Sequence, residues 1–556
     1  MFVRVKAYPN NVLAVQVVEN RREGNTIKQR IIRHVGRAHS ETELVKLREL
    51  ADFIITEMET KVQPALFPLK ELAQMVTESR RRAESDPDPD PLNVKLKQLR
   101  EEGRIITGIH DIYGTLFNQT GFDKLLKRCR VSNKVLKDIV LARIARPLSK
   151  RASIDMLETD FGITWPLDAV YRMMDHLDEE KVNLIQKLTY ETAKSLYRQE
   201  INILFYDCTT LYFESFTEDE LKELGYSKDN KFNQGQVLLA LLVTTEGLPI
   251  GYEVFSGSTF EGHTLKNMLD KIKKKFRLKR IIFVADSAML SKPNIDILEE
   301  NEVEYIVGAR LKSLTRQWQN KILDNKQYIK EKKEGDLIRY HSFEYNQNQR
   351  LIVSHSTKRA EKDRHDREKA VERLLSKFKK SKDVKSLISN YGYKKYIKTK
   401  GKSLAEINKE KVAQDAQWDG LHGVFTNIPN ANPIEILAHY RGLWQIEESF
   451  RINKHDLKMR PVFHWTPKRI KAHIAICYMA FALIRTLQYK LRREYQNLSP
   501  EVIQNELVHL QVSILKHINT DDHYIIPSKP GKHVTNIYKI LGLQYSTVPC
   551  RMLSKN

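Results

Sequence analysis

Ile201-Asn-Ile-Leu-Phe-Tyr-Asp207 and Ile281-Ile-Phe-Val-Ala-Asp286 decide how this chain folds. Each is a short, mostly apolar run rich in β-branched and aromatic residues, and each closes on a carboxylate. Runs of this length and composition read as strands. Between them, Val237–Val243 and Leu248–Phe255 read as a hairpin around Thr245-Glu-Gly247, and residues 264–276 as a helix capped by His263 or Thr264. After Asp286 come a helix over 292–300 and a strand, Glu304-Tyr-Ile-Val307. The order is three strands, helix, strand, helix, strand.

That order is the one found in ribonuclease H-like folds, so the expected class is α/β. In such a sheet the strands of Asp207 and Asp286 lie side by side, and both acids emerge at one edge. Two carboxylates suit a hard divalent cation, which prefers oxygen ligands and keeps several waters. A third acid comes from helical spacing in Tyr440-Arg-Gly-Leu-Trp-Gln-Ile-Glu447-Glu-Ser-Phe-Arg-Ile-Asn-Lys454. On one continuous helix Tyr440, Glu447, Arg451 and Lys454 share a face. Trp444, Ile446 and Phe450 would turn toward the core. Glu448 is the alternative third acid, about 100° away on the helix. Asp419 reads as a turn residue, Glu214 and Asp296 as surface acids, and His263 and His422 as caps or satisfied polar groups without ligand spacing.

Charge narrows the substrate. The 556 residues carry 93 Lys+Arg against 70 Asp+Glu, a net charge of +23, which points to a polyanion such as nucleic acid. Four cysteines, Cys129, Cys208, Cys477 and Cys550, stand apart with no Cys-x-x-Cys pair, which excludes a disulfide scaffold and fits a reducing compartment. The N-terminus lacks a signal-peptide core, and the apolar stretch 474–484 is too short to span a bilayer, so it reads as a buried helix of a soluble protein.

The length predicts several domains. Residues 1–90 form a small β domain with a helix over 41–60 and a linker at Ser85-Asp-Pro-Asp-Pro-Asp-Pro91. Residues 91–200 are helical and predicted to bind DNA. Within them Ser153–Thr159 and Pro166–His176 read as either an ordinary helical hairpin or a base-reading helix-turn-helix unit, and flanking Arg143, Arg146, Lys150 and Arg151 favour phosphate contact. The core is predicted over 201–309 and 433–495, interrupted by a strand-rich insertion at 310–432; a tail with one more amphipathic helix and a Pro/Gly-marked end fills 496–556. The insertion holds a charged helix over 358–380. It also holds the run Tyr391–Lys400, either a phosphate-tracking surface or an exposed β-ribbon.

Tyr206-Asp207-Cys-Thr-Thr210, Val284-Ala-Asp286-Ser-Ala288 and the Tyr440–Lys454 segment resemble the DDE-class transposases of bacterial insertion sequences. The likeness is to the branch with a strand-rich insertion before the catalytic Glu. Spacings of 79 residues from Asp207 to Asp286 and 161 from Asp286 to Glu447 leave room for that insertion. The family pattern places Tyr, Arg, Glu and Lys at fixed offsets. Tyr440, Glu447 and Lys454 fall on it, but Leu443 occupies the Arg position, and Arg441 or Arg451 is the expected substitute.

The resemblance implies a cut-and-paste enzyme that nicks transposon ends and joins their 3′-hydroxyls to target DNA. Asp207, Asp286 and Glu447 would hold two Mg²⁺ or Mn²⁺ ions, while Tyr440, Arg441, Arg451 and Lys454 would contact DNA. It further implies double-stranded terminal inverted repeats and target DNA as partners, a homodimer in the active complex, no membrane, and a bacterial, nucleoid-associated cytoplasmic location. The alternatives are a ribonuclease H-like nuclease without strand transfer and a non-catalytic DNA-binding regulator.

Overall fold

The computed structural model describes residues 2–8, 12–23, 26–38, most of 43–55, and 94–552 apart from 128, 198–200, 215–217, 226–232, 277–279, 334–335, 381–393, 401–403, 495 and 521. The expected linker at 85–91 lies outside the described residues. The N-terminal strands β1 (Phe2–Tyr8), β2 (Val12–Glu23) and β3 (Thr26–Ala38) form the predicted antiparallel sheet. The described residues of 43–55 are helical, and Ala51 and Ile54 pack on Val15 and Val17.

After β4 (Leu99–Ile106) comes a helical block: α1 (Gly108–Gln119), α2 (Arg130–Ala145), α3 (Lys150–Phe161), α4 (Leu167–Asp175) and α5 (Glu179–Tyr197). The α3–α4 pair is the predicted two helices joined by a Gly-containing turn, a shape common to a helical hairpin and a helix-turn-helix unit. Ser149 caps α3 through Ala152 N, and Gly162 ends it at φ +65°, a left-handed conformation that favours glycine. The basic residues expected to flank it on the surface divide. Arg146 and Arg151 are exposed, but Arg143 and Lys150 are only 5% exposed. Lys150 lies inside, 3.4 Å from His473 Nδ1, and burial drops its pKa to about 7. Those two cations are core residues because α2 and α3 turn them onto the long helix described below.

The core follows in the predicted order: β5 (Ile203–Tyr212), β6 (Gln236–Thr244), β7 (Pro249–Ser256), α6 (Leu265–Phe276), β8 (Ile282–Ala285), α7 (Lys292–Glu300) and β9 (Glu304–Gly308). The β6–β7 turn brings Gly247 to φ +73°. β5 pairs antiparallel with β6 and parallel with β8, which pairs parallel with β9.

Residues 310–432 extend this same sheet. Helix α8 (Arg316–Leu323) precedes β10 (Ile329–Lys333), β11 (Asp336–Glu344), β12 (Arg350–Ser356) and α9 (Thr357–Lys380). The hairpin β13 (Ile397–Lys400) and β14 (Leu404–Ile407), α10 (Lys409–Ala416) and β15 (Leu421–Thr426) complete the segment. β15 pairs antiparallel with β9, giving nine strands in the order β10-β11-β12-β15-β9-β8-β5-β6-β7. Of the Tyr391–Lys400 run, 391–393 lie outside the described residues, and the rest takes the β-ribbon alternative. Tyr396 is buried and, with Lys395, turns inward onto Asp415. Asp419 sits in the expected turn, paired with Arg367.

The chain then enters α11 (Pro433–Arg441), α12 (Trp444–Arg451) and the 27-residue α13 (Pro467–Arg493). α13 is long and apolar enough to cross a membrane by length and composition, yet 94% of its apolar window is buried inside the molecule. It is the predicted core helix, lying among α2, α4, α5 and β7. The tail has the expected helix, α14 (Pro500–Val508), and beyond it elements not foreseen: β16 (Gln511–His517), β17 (His523–Pro527), α15 (Val534–Ile540) and β18 (Cys550–Met552). β16 pairs with β4 in a four-stranded sheet, so apolar alternation at 511–517 is satisfied by a strand some 400 residues earlier.

Candidate active site

Strand register brings the first two acids together. Tyr206 is opposite Ala285 in the parallel β5–β8 pair, so Asp207 and Asp286 are the next residue on each strand. Neighbouring strands lie about 4.8 Å apart. Side chains alternate between faces, and Phe205 and Val284, two residues back, belong to one hydrophobic cluster while Tyr206 and Ala285 belong to the other. Both carboxylates therefore share the Phe205 face. Asp207 is half-buried and accepts from Cys208 N at 2.7 Å. Asp286 is exposed, accepting from Ser287 N at 2.6 Å where the strand ends in a short 3₁₀ turn.

Helix packing sets where the element carrying Glu447 lies. α12 packs on β5 and β6 over that face, with Ile446 fully buried in the Phe205 cluster. Burying an isoleucine is worth about 1.5–3 kcal/mol, enough to set which side of a two-turn helix faces inward. Gly442 permits the approach, because a Cβ there would stand 2.6 Å from the Phe205 ring. Buried Arg485 of α13 fixes the helix from behind: it donates to Gln445 Oε1 at 2.6 Å and to the β6–β7 turn at Gly247 O and Glu246 O, both at 2.9 Å. Glu447 is left on the exposed side.

Tyr440 links the acids. Its hydroxyl donates weakly to Asp286 Oδ1 at 3.5 Å, and a Cβ on Gly308 would be 2.3 Å from its oxygen, so only glycine lets the ring in. Burial pushes the phenol well above its usual range, with negative charge from Asp286 and Glu447 adding to the rise and Arg359 opposing it. Beside it, His422 lies with ring centroids 4.9 Å apart. Burial drops His422 to about 4, the nearby Arg359 and Arg441 push the same way, and Asp286 opposes them; the imidazole is neutral at pH 7.

The single helix expected over 440–454 is broken. α11 stops at Arg441, α12 starts at Trp444, and a π-helical turn follows at Ile452–Asp456. The break at Gly442-Leu443 rotates the second piece. Trp444, expected in the core, is 54% exposed, and Leu443 is buried in its place. Arg451 leaves the predicted stripe and grips Glu448 at 2.8 and 2.9 Å and Asp456 at 3.3 Å. Glu448, the alternative acid, is thereby committed to Arg451. Arg441 is exposed and lines a crevice with Glu331 and Tyr340; Lys454 lies over the Phe450 ring at 5.9 Å.

Among the described residues no three His, Cys, Asp or Glu side chains stand close enough to share one ion. The donor set nonetheless suits hard divalent cations. Such ions are typically held by one or two carboxylates, with the remaining positions left to water and substrate phosphate. Sequence reading took His422 for a cap or satisfied polar group and did not single out Arg359. A lone histidine and one arginine in a charged helix carry no local signal.

A family model described as "Transposase DDE domain" matches residues 198–483, just over half of the chain, and its span includes all three acids. No curated protein matches. Among solved structures, the chain is similar to the piggyBac transposase synaptic complex with hairpin DNA, at 9% identity over 80% of this chain and 78% of that one with a TM-score of 0.35. It is also similar to the Mos1 transposase paired-end complex with left transposon end, at 15% identity over 45% of this chain and 70% of that one with a TM-score of 0.15. The sequence match over the acid-bearing sheet and its covering helices decides the assignment: the chain belongs to the DDE transposase family, enzymes that cut and join DNA with the help of divalent metal ions.

Proposed function

We propose that this transposase works by cut-and-paste on an insertion sequence, with Asp207, Asp286 and Glu447 as its catalytic acids. The observation that carries the reading is the matched register of Asp207 and Asp286 on adjacent parallel strands, beneath the helix of Glu447. Asp207 and Asp286 would together hold one Mg²⁺ or Mn²⁺, and Glu447 with Asp207 a second. When bound, the pair supplies an activated water or 3′-hydroxyl and neutralises the leaving oxygen.

The chain's own groups do the rest. Tyr440 orients Asp286 through its hydroxyl. His422, neutral and packed on Tyr440, keeps water from that side. Lys454 and Tyr440 are suited to contact the scissile strand, and Arg441 its flanking phosphates. Arg451 supports the site indirectly, by holding Glu448 away from it. The partners are double-stranded terminal inverted repeats and target DNA, bound by a homodimer because two ends must be cut in concert. The net charge of +23 supports DNA as the partner and the bacterial nucleoid as the location.

The test is cleavage and joining by full-length protein, on a plasmid carrying the DNA that borders the coding sequence. Asp286→Asn should bind this DNA but not nick it in Mg²⁺ or Mn²⁺; normal nicking would refute the assignment. Wild-type protein given precut ends should yield joined product, and a plain nuclease would give none.

A further inference from the structure

Position 443 leaves the site short of one cation, since the family arginine is replaced by a buried leucine. Arg451 cannot serve, being held by Glu448 and Asp456. The β12–α9 junction offers another source. β12 runs into α9 without a loop, and β12 pairs with β15 so that Ser354 stands opposite His422. Ser356 N donates to Gly420 O at 3.1 Å, and Gly420 N donates to Asp363 Oδ2 at 3.0 Å. A Cβ on Gly420 would be 2.8 Å from the Ala360 Cβ. The first turn of α9 is thus pressed onto the residues just before His422, whose ring lies on Tyr440, whose hydroxyl reaches Asp286.

We propose that Arg359, in that first turn, is the phosphate-binding residue that replaces the missing arginine, gripping the DNA strand beside Asp286 with His422 and Tyr440 as the wall it works against. This rests on the assignment of Asp286 above. Arg359 is available for the role: its guanidinium is half-exposed, and among the described residues its ion pair is a 3.9 Å contact with Asp363. An exposed pair of that kind is worth about 0–1 kcal/mol, so a phosphodiester, which accepts the planar fork at two oxygens, displaces it readily. The field of Arg359 already reaches both Tyr440 and His422. Arg441, another nearby cation, also acts on His422 but not on Tyr440, and it lines the crevice with Glu331.

The experiment uses full-length protein, the bordering-DNA plasmid and Mn²⁺. Arg359→Ala should cut nicking by about 100-fold or more, as removal of a positioned arginine does in phosphoryl transfer. Its log–log salt dependence of DNA binding should fall by about 0.9, the value of one phosphate contact. Arg359→Lys should keep the salt slope yet nick more slowly. Adding Leu443→Arg to Arg359→Ala should restore nicking at least in part, with the melting temperature checked because position 443 is buried. If Arg359→Ala nicks normally with an unchanged salt slope, the proposal fails. Asp286→Asn separates the two ideas: if it still nicks, the acid assignment has failed, and if it is dead while Arg359→Ala is active, only the role of Arg359 has.

Discussion

The two halves of the proposed active site are built by different means. Asp207 and Asp286 are fixed by backbone hydrogen bonding between β5 and β8, where register leaves one way to bring the strand ends together. Glu447 sits on an eight-residue helix that no ladder holds, placed by Ile446 in the core, by Gly442 against Phe205, and by Arg485 from behind. A sheet transmits position through bonds repeated at every residue. A short helix depends on a few side chains, so single substitutions far from the chemistry should disturb Glu447 and leave the aspartates in place.

The largest expected effect probes the acids themselves. Asp207→Asn or Asp286→Asn should lower nicking by about 10³-fold or more, as loss of a unit of catalytic machinery does, with DNA binding retained in a gel-shift assay. A chelator should do the same to wild type. Glu447→Gln should match them, while Glu448→Gln should cost activity only through release of Arg451, a difference that nicking rates would expose.

The support of the helix comes next. Arg485→Met removes a buried cation with hydrogen bonds to Gln445, Gly247 and Glu246. Breaking a buried charged network of this kind costs about 3–5 kcal/mol, readable as a lower midpoint in urea. Activity should fall further than the fraction unfolded explains, since α12 loses its anchor. Gly308→Ala should be milder for stability but should displace the Tyr440 hydroxyl from Asp286, lowering nicking by about 10-fold. The smallest effect belongs to Trp444. Because it is 54% exposed, Trp444→Ala should change stability by no more than about 0.5 kcal/mol, whereas a core tryptophan would cost about 3–5 kcal/mol. A large loss would return Trp444 to the core and undo the broken-helix geometry.

Much of this was legible beforehand. The apolar runs ending at Asp207 and Asp286, the hairpin at Gly247 and the charged helix over 358–380 all followed from periodicity and turn chemistry. The sequence misled where a segment's partner lies far along the chain. Arg143 and Lys150 read as surface cations until α13 covers them. The tail gained strands because β4 waits for β16. Tyr396 looked exposed until Asp415 drew it inward.

The amino-acid order by itself determined the element types, the strand-borne acids and the basic charge that selects DNA, because these depend on neighbours within a few residues. Tertiary structure alone decided which cations reach the site, which way the Glu447 helix turns, and that residues 310–432 continue the core sheet. Those outcomes depend on contacts between segments tens to hundreds of residues apart, where a single glycine or one buried arginine can set the geometry and no local pattern records it.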